Sequence, residues 1–264
     1  MTTLQTVFAK AKADDRAALI GYLPAGFPSK DGAIAVATAM VEAGCDVIEI
    51  GLPYSDPLMD GPTIQDAVHR ALTNGTRIAD VLRTVEGVAA TGAATLVMTY
   101  WNPIDRYGAD RFARDLANAG GVGTITPDLT PEEAGPWREA SAGAGIDTVF
   151  LVAPSSTEAR IKAVVDSCTG FVYAASLMGV TGARASVGEA AQGLVERTRP
   201  HTSLPVCVGL GVGTGLQAAE VAGYADGVIV GSAFIRRVLD APDENSALAS
   251  VRELGAELAA GVRG

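Results

Sequence analysis

The sequence contains no long apolar segment. Its first residues, MTTLQTVFAKAKADDR, lack the apolar core of a secretory signal peptide, and no run of about 18 uninterrupted apolar residues follows. Cysteine is also scarce, because Cys45, Cys168 and Cys207 are odd in number and far apart. This spacing is typical of reduced, buried thiols and not of a disulfide framework or a zinc site. We therefore expect a cytoplasmic protein that does not associate with membranes.

Positive charge is scarce as well. The 264 residues include 20 Lys and Arg against 30 Asp and Glu, which gives a formal net charge of −10. No basic patch stands out in the sequence. Nucleic acids and anionic membranes attract positively charged surfaces, so we expect neither as a partner.

Short apolar runs alternate with segments of helical spacing along the chain. The runs are ALIGYL, VIEIGL, TLVMTY, GTITPD, TVFLVA, FVYAAS, PVCVGL and GVIVGS. Eight strand–helix units joined by right-handed crossovers predict an α/β fold, a single (β/α)₈ TIM barrel over residues 1–264. No Pro/Ser-rich linker divides the chain into domains. A doubly wound open sheet would give a similar local pattern and is the alternative fold.

Capping residues and breakers predict where several helices begin and end. An extra helix, Leu4 to Asp14, precedes the first strand, and the segment 64–90 forms two helices broken near Asn74 and Gly75. The other predicted helix starts are Ser29, Thr130 with Pro131, and Ser155 or Ser156.

Glycine-rich loops follow the last three predicted strands. They read GVTGAR from Gly179, GLGVGTG from Gly209 and GSAFIRR from Gly231. Backbone N–H groups in such loops can approach an anion closely, and helix starts at Gly213 or Ser232 would add positive dipole ends. Barrel enzymes often bind phosphate in this corner, so we predict a small phosphate ester as ligand. Ordinary turn formation is the alternative, and Arg184 is the only strong positive charge expected nearby.

Lysine and histidine are rare, and their positions restrict the chemistry. The lysines are Lys10, Lys12, Lys30 and Lys162, and the histidines are His69 and His201. No lysine ends a predicted strand, so a Schiff-base aldolase would lack its nucleophile. Neither histidine ends a predicted strand, so metal-assisted enolisation would lack imidazole ligands. An all-carboxylate Mg²⁺ site stays conceivable but would be poorly fixed, and we expect no metal and no cofactor.

Acidic side chains gather where the second predicted strand ends. Glu49 lies within the apolar run VIEIGL, Asp60 lies in the following loop, and Tyr173 lies on strand six. A carboxyl group desolvated in a barrel mouth has a raised pKa and is suited to proton transfer. The structural alternatives are a buried ion pair for Glu49, a turn role for Asp60 and core packing for Tyr173.

Seven segments spread over the chain resemble one known family. They read GYLPAGFPS, EIGLPYSDPLMDGPTIQ, MTYWNPIDRYG, PDLTPEE, FLVAPSSTEARI, YAASLMGVTGAR and ADGVIVGSAFI, of which the second and sixth are highly specific. On these motifs the chain resembles the tryptophan synthase alpha subunit. The resemblance implies a lyase of tryptophan biosynthesis that cleaves indole-3-glycerol phosphate to indole and glyceraldehyde-3-phosphate.

The resemblance also implies a role for individual residues. Glu49 matches the family's general acid/base, and Asp60 matches the carboxylate that binds the indole N–H and stabilises positive charge on the ring. Tyr173 matches an active-site tyrosine, and Thr181 matches the loop threonine that meets the aspartate on closure. The positions that fall on the phosphate site are Gly182, Gly211, Gly231 and Ser232. Protonation of indole C3 creates an electron sink in the substrate, which fits the absence of a suitable lysine or metal ligand.

The family resemblance implies a partner as well. The alpha subunit passes indole to a pyridoxal-phosphate beta subunit, and an α₂β₂ tetramer is expected. The residues predicted to contact the beta subunit are Pro53, Tyr54, Asp56, Asn102 and Pro103. Two alternatives remain, a stand-alone lyase that releases indole and a non-catalytic allosteric partner that keeps the ligand site.

The sequence departs from the family pattern at three places. Leu177 stands where some relatives carry arginine, and Leu210 stands where an aromatic side chain can line the indole pocket. The acidic residue often found near Gly123 is absent. None of these departures affects Glu49 or Asp60.

Overall fold

The computed structural model describes residues 3–175, 184–209 and 211–264, with backbone only at 184–187. In this part of the chain, parallel strands form one sheet surrounded by helices. The strands are β1 (Ala18–Pro24), β2 (Val47–Gly51), β3 (Ala94–Met98), β4 (Gly123–Ile125), β5 (Asp147–Val149), β6 (Leu151–Val152), β7 (Val172–Ala175), β8 (Val206–Gly209) and β9 (Gly227–Val230). They lie in the order β5-β4-β3-β2-β1-β9-β8-β7-β6.

The two ends of this sheet meet at Phe150, which separates β5 from β6. Its carbonyl accepts a hydrogen bond of 3.1 Å from the N–H of Tyr173, but its own N–H donates to the Cys168 sulfur at 3.4 Å instead of to a neighbouring strand. Because the Phe150 N–H does not bond to a neighbouring strand, the strand hydrogen bonding is interrupted there, and the fifth predicted strand is divided into β5 and β6. The sheet is therefore a nearly closed barrel, which confirms the TIM-barrel prediction over the open sheet.

Helices cover the outside of the barrel. They are α1 (Leu4–Ala13), α2 (Lys30–Glu42), α3 (Pro62–Thr73), α4 (Ile78–Ala89), α5 (Trp101–Tyr107), α6 (Ala109–Asn118), α7 (Gly135–Ala144), α8 (Glu158–Val165), α9 (Arg184–Thr198), α10 (Gly215–Ala222), α11 (Ser232–Leu239) and α12 (Glu244–Gly261). The extra N-terminal helix and the break between α3 and α4 are as predicted. The Ser29 cap is also confirmed, because the N–H of Gly32 donates to its hydroxyl at 2.9 Å.

Three predicted helix starts are wrong by a few residues. Helix α7 begins at Gly135 and not at Thr130 or Pro131, because residues 131–133 form a turn and Pro136 supplies the fixed φ of the first helical turn. Helix α8 is capped by Thr157, since the Ser156 hydroxyl accepts a hydrogen bond from the N–H of Ala153 instead. Helix α10 follows a Thr214 cap and does not start at Gly213, whereas α11 starts at Ser232 as predicted.

Two apolar layers hold the fold together. The outer layer packs the helices against the strands, and the inner layer fills the barrel. Helix α1 contributes Leu4, Val7, Phe8 and Ala11 to the inner layer, the i, i+3, i+4, i+7 spacing of one helix face. The Phe8 and Phe171 rings meet edge to face at 5.8 Å, so α1 closes the end of the barrel opposite the strand carboxyl ends.

The three cysteines lie in the interior, as their spacing predicts. Cys45, Cys168 and Cys207 are free and buried. Within the described ranges, no helix is long and apolar enough to cross a membrane. In the same ranges, no group of three or more His, Cys, Asp or Glu side chains is placed to hold a metal ion.

Candidate active site

Glu49 lies at the centre of β2 with its side chain inside the barrel. Side chains alternate between the two faces of a strand, and Val47, two residues earlier, belongs to the inner apolar layer. The Glu49 side chain is 1% exposed, and its Oε1 has no hydrogen-bond partner among the described residues. Burial raises the pKa of Glu49 from 4.5 to about 8, so the carboxyl is largely protonated at neutral pH. No cation contributes to that pKa, which argues against the buried ion pair.

Asp60 lies in the loop between β2 and α3, and hydrogen bonds hold this loop on both sides of it. The Tyr100 hydroxyl accepts hydrogen bonds from the N–H groups of Leu58 and Met59, each at 3.0 Å. The Asp60 carbonyl accepts one from Gln65 Nε2 at 2.7 Å. Burial raises the pKa of Asp60, and a hydrogen bond from Tyr100 partly opposes that rise by stabilising the ionised form.

Tyr22 and Tyr100 are site residues that the sequence reasoning missed. Tyr22 is the next-to-last residue of the run ALIGYL, and Tyr100 is the last residue of TLVMTY. Barrel enzymes place their chemistry at the carboxyl ends of strands, so strand position was the available indication. Tyr22 lies opposite Glu49 in the β1–β2 register. Burial and then the charges of Asp60 and Glu49 raise the pKa of the Tyr22 phenol, which places it near both carboxyls.

The Glu49, Asp60 and Tyr22 side chains line one cavity of about 460 Å³ at the carboxyl ends of the strands. Its polar lining includes Tyr22, Glu49, Asp60 and Tyr173. Its apolar lining includes Ile64, Met98, Leu151 and Ile229. Apolar walls with a few convergent polar groups are typical of sites for small organic ligands, and this cavity has room for an aromatic ring beside two carboxyls.

Two glycines make room for the cavity tyrosines. A Cβ atom at Gly51 would overlap the Tyr22 hydroxyl, and one at Gly209 would overlap the Tyr173 hydroxyl. Burial and the nearby Glu49 carboxyl raise the pKa of Tyr173, so the phenol stays neutral. Both tyrosines therefore present neutral hydroxyl groups close to the carboxyls.

The predicted phosphate residues lie together at one end of the same cavity. Gly211 has a φ of +69°, Gly231 is the N-cap of α11, and Ser232 is its first residue. No described side chain caps this helix, and the first N–H groups of a helix have no acceptor within it. The arrangement suits an anion. Thr181 and Gly182, like Leu177 and Leu210, lie outside the described residues.

Two arginines correct the expectation that Arg184 is the only strong positive charge near this corner. Arg236 and Arg237 line a second cavity of about 680 Å³, which shares Gly211 and Ser232 with the first. Both arginines occur in the quoted motif GSAFIRR. Only the position of α11 shows that their side chains lie next to the glycine-rich corner.

The predicted partner surface is only partly exposed. Pro53 and Pro103 are buried in this chain, whereas Asp56 and Asn102 are exposed and Tyr54 is half-buried. The Asn102 side-chain amide donates to the Tyr54 hydroxyl at 3.1 Å, so these two loops contact each other. Leu58, which the sequence reasoning did not single out, is 77% exposed beside Asp56.

Gly123 itself has no room for a side chain. A Cβ atom at Gly123 would lie 2.8 Å from the Asp147 carbonyl oxygen on the neighbouring strand β5. Any side chain there would therefore force the two strands apart.

A nearly closed (β/α)₈ barrel with a buried and a half-buried carboxyl in one cavity at the carboxyl ends of its strands defines the chain as a TIM-barrel enzyme. A sequence model of one family, the tryptophan synthase alpha chain, matches residues 8–263. The chain belongs to this family. Its members are lyases of tryptophan biosynthesis that cleave indole-3-glycerol phosphate.

Similar proteins are numerous, and they span the whole chain. The tryptophan synthase alpha chain of Thermobifida fusca is 62% identical over 266 residues, covering 100% of this chain and 98% of that protein. The alpha chain of Streptomyces avermitilis is also 62% identical, over 99% of this chain and 95% of its own length. A structure of Mycobacterium tuberculosis tryptophan synthase superposes with a TM-score of 0.92 at 53% identity, covering 100% of both chains.

Proposed function

We propose that this chain cleaves indole-3-glycerol phosphate to indole and glyceraldehyde-3-phosphate, with Glu49 moving protons and Asp60 stabilising the cationic ring. The observation that carries the proposal is the Glu49 carboxyl, buried, unpaired in the described residues and largely protonated at neutral pH, in the same cavity as Asp60. A carboxylic acid with a pKa near the working pH is an efficient proton donor and acceptor.

The proposed reaction balances with one carboxyl as the proton carrier. Glu49 gives its proton to C3 of the indole ring, which becomes an indoleninium cation. The bond between C3 and the glycerol carbon then breaks, and its electron pair restores the aromatic ring. The hydroxyl on that glycerol carbon becomes the aldehyde and releases its proton, which returns to the Glu49 carboxylate.

Asp60 faces the cation in this proposal. An ionised carboxylate in a cavity with little water stabilises a nearby positive charge far more than it would in water. The hydrogen bond from Tyr100 favours the ionised form of Asp60, and the same hydroxyl holds the two preceding backbone N–H groups. These contacts position Asp60 before the ring becomes cationic, and the Tyr100 hydrogen bond opposes part of the rise that burial causes in the pKa of Asp60.

The phosphate of the substrate is proposed to bind at Gly211, Gly231 and Ser232. Gly182 would complete this site, and Thr181 would meet Asp60 when the loop closes, as the family resemblance implies. Tyr173 would contact the substrate from β7. The small side chains at the glycine corner leave the backbone N–H groups of α11 accessible to the phosphate.

Replacing Gly231 with alanine should raise the KM for the substrate about tenfold or more while the barrel stays folded. The new methyl group would lie 3.1 Å from Tyr22 Cδ1, a contact that small shifts can absorb, and would crowd the phosphate position. The measurement is steady-state indole release beside thermal unfolding. Gly193→Ala is the matched control, because a Cβ atom there meets nothing within 4 Å. An unchanged KM, or equal affinity for indole-3-glycerol without its phosphate, would count against this site.

A beta subunit is the proposed partner, in an α₂β₂ tetramer that receives the indole. The similar structures from Mycobacterium tuberculosis bear the name tryptophan synthase, and the exposed Leu58 beside Asp56 offers an apolar contact next to a charge. Tyr54 and Asn102 extend this surface, and the buried Pro53 and Pro103 would support it from beneath.

Reversing the charge at Asp56, as Asp56→Lys, should weaken association with a beta chain by about tenfold or more. Titration of labelled beta chain and activation of indole release both measure this effect. Glu253→Lys is the control, since Glu253 is exposed on α12. If the wild type neither co-elutes with a beta chain nor is activated by it, the proposed partner is wrong and a stand-alone lyase is left.

The same proposal covers the location and the domain organisation of the chain. A biosynthetic lyase with a phosphorylated substrate belongs in the cytoplasm, where such esters are made and used.

One barrel domain over residues 1–264 is proposed, because the inner and outer apolar layers include residues of strands and helices from α1 to α12. Limited proteolysis that released a stable fragment would contradict it.

A further inference from the structure

Arg236 joins two helices that flank the substrate cavity. It lies in the second turn of α11, and its Nη2 donates a hydrogen bond of 3.0 Å to the Thr63 hydroxyl on α3. Helix α3 begins two residues after Asp60, and Thr63 itself lines the substrate cavity. The contact therefore connects the helix of the proposed phosphate site to the helix that follows the Asp60 loop.

The guanidinium lies on the same side of α11 as the glycine corner. Residues four apart on a helix are neighbours on one face, and Arg236 is four residues after Ser232. Arg236 lines the cavity of about 680 Å³, which meets the substrate cavity at Gly211 and Ser232. The charge is thus placed beside the boundary of the two cavities, about one helical turn from the N-terminal N–H groups.

The negative net charge of the chain makes a positive charge at Arg236 favourable for binding a phosphate ester. With a formal net charge of −10, the protein repels a phosphate ester at long range. Backbone N–H groups and a helix dipole act only at short range. A guanidinium at the outer edge of the phosphate corner would offset the repulsion and hold α11 and α3 at a fixed separation.

We propose that Arg236 is a positioning residue for the phosphate end of the substrate, supplying positive charge at the cavity edge and fixing α11 against α3 through Thr63. This inference rests on the proposed function. Its consequence is a selective effect on phosphate-bearing ligands, with little effect on the steps at the indole ring.

Arg236→Gln is the principal test, with steady-state indole release measured from the full chain. The KM for indole-3-glycerol phosphate should rise about tenfold, with kcat changed less than about twofold, because the lost charge acts on binding. Added salt screens the attraction between Arg236 and the phosphate, so the ratio of wild-type to variant kcat/KM should shrink as salt is added. Indole-3-glycerol without phosphate should be cleaved equally by the two proteins.

Three further variants separate the effect of the Arg236 charge from that of its hydrogen bond to Thr63. Arg236→Lys keeps the charge and should recover most of the affinity. Thr63→Val removes the acceptor and should raise KM less than Arg236→Gln does. Arg83→Gln is the matched control, because Arg83 lies on α4, pairs with Asp31 at 2.6 Å and lines neither cavity.

The outcomes distinguish this inference from the proposed function. A wild-type chain that releases no indole, alone or with a beta chain, overturns the proposed function. An active wild type with an unchanged KM in Arg236→Gln overturns the role of Arg236. Equal losses for Arg236→Gln and Arg83→Gln, or equal losses with the substrate that lacks phosphate, also overturn it. Thermal unfolding of each variant identifies any loss that comes from misfolding.

Discussion

Replacing Glu49 with glutamine should lower turnover by a factor on the order of 10² to 10⁴ while ligand binding survives. Glutamine keeps the size and hydrogen-bonding capacity of the side chain but cannot give a proton to C3 or take one back. Strand β2 is paired on both sides, with β1 and β3, and so holds the side chain at position 49 in the cavity. The measurement is steady-state indole release beside calorimetric binding of a substrate analogue.

The pH dependence of the wild type provides a second view of the same residue. The pH dependence of kcat/KM reports groups of the free enzyme, and the protonated form of Glu49 is the acid. With a pKa of about 8, kcat/KM should fall as the pH rises through about 8. The Glu49→Gln variant should lack this limb. Near wild-type turnover in that variant would make the buried carboxyl a structural feature and the proposed mechanism wrong.

Stability should change in the opposite direction from activity. The folded pKa of Glu49, about 8, lies above the ordinary value of 4.5, so between these values the folded state holds a proton that the unfolded state has lost. The free energy of unfolding therefore decreases as the pH rises across this window. Glutamine does not titrate, so the Glu49→Gln variant should be stabilised relative to the wild type, increasingly from about pH 4.5 to about pH 8. Urea unfolding at several pH values measures this difference.

Replacing Asp60 with asparagine should also lower turnover strongly, by about 3 kcal/mol of transition-state stabilisation or on the order of 10²-fold. Asparagine retains an oxygen that can accept the indole N–H but removes the charge that faces the indoleninium. The effect should fall mainly on kcat, because the cation exists only after C3 is protonated. Single-turnover indole release, with enzyme in excess over substrate and at a saturating concentration, isolates that step.

A matched loop variant separates charge from loop order. Gln65→Met removes the 2.7 Å hydrogen bond to the Asp60 carbonyl but keeps the carboxylate, so it should cost much less turnover than Asp60→Asn. If both variants lost the same activity, the role of Asp60 would be to order the loop and not to stabilise charge. A wild-type rate in Asp60→Asn would remove Asp60 from the mechanism altogether.

The barrel and the principal carboxyls were predictable from the sequence because both depend on local patterns. Eight apolar runs separated by helical segments indicated parallel strands, and Glu49 stood out as a carboxyl within such a run. Helix starts were less predictable, since Thr130 and Ser156 are good capping residues whose hydroxyl groups form other hydrogen bonds in the fold. Choosing among neighbouring caps depends on where the chain must leave the barrel, which local sequence does not encode.

The sequence by itself determined the order of strands and helices, the acidic charge and the carboxyl at the centre of β2, because these depend on residue type and spacing. Only the tertiary structure decided which distant side chains contact the loop and helix beside the cavity. Tyr100 reaches the loop before Asp60 from 41 residues away, and Arg236 reaches Thr63 from 173 residues away. Barrel closure makes these contacts by bringing the carboxyl ends of separate strands to one rim, and the spacing of residues along the chain carries no record of that distance.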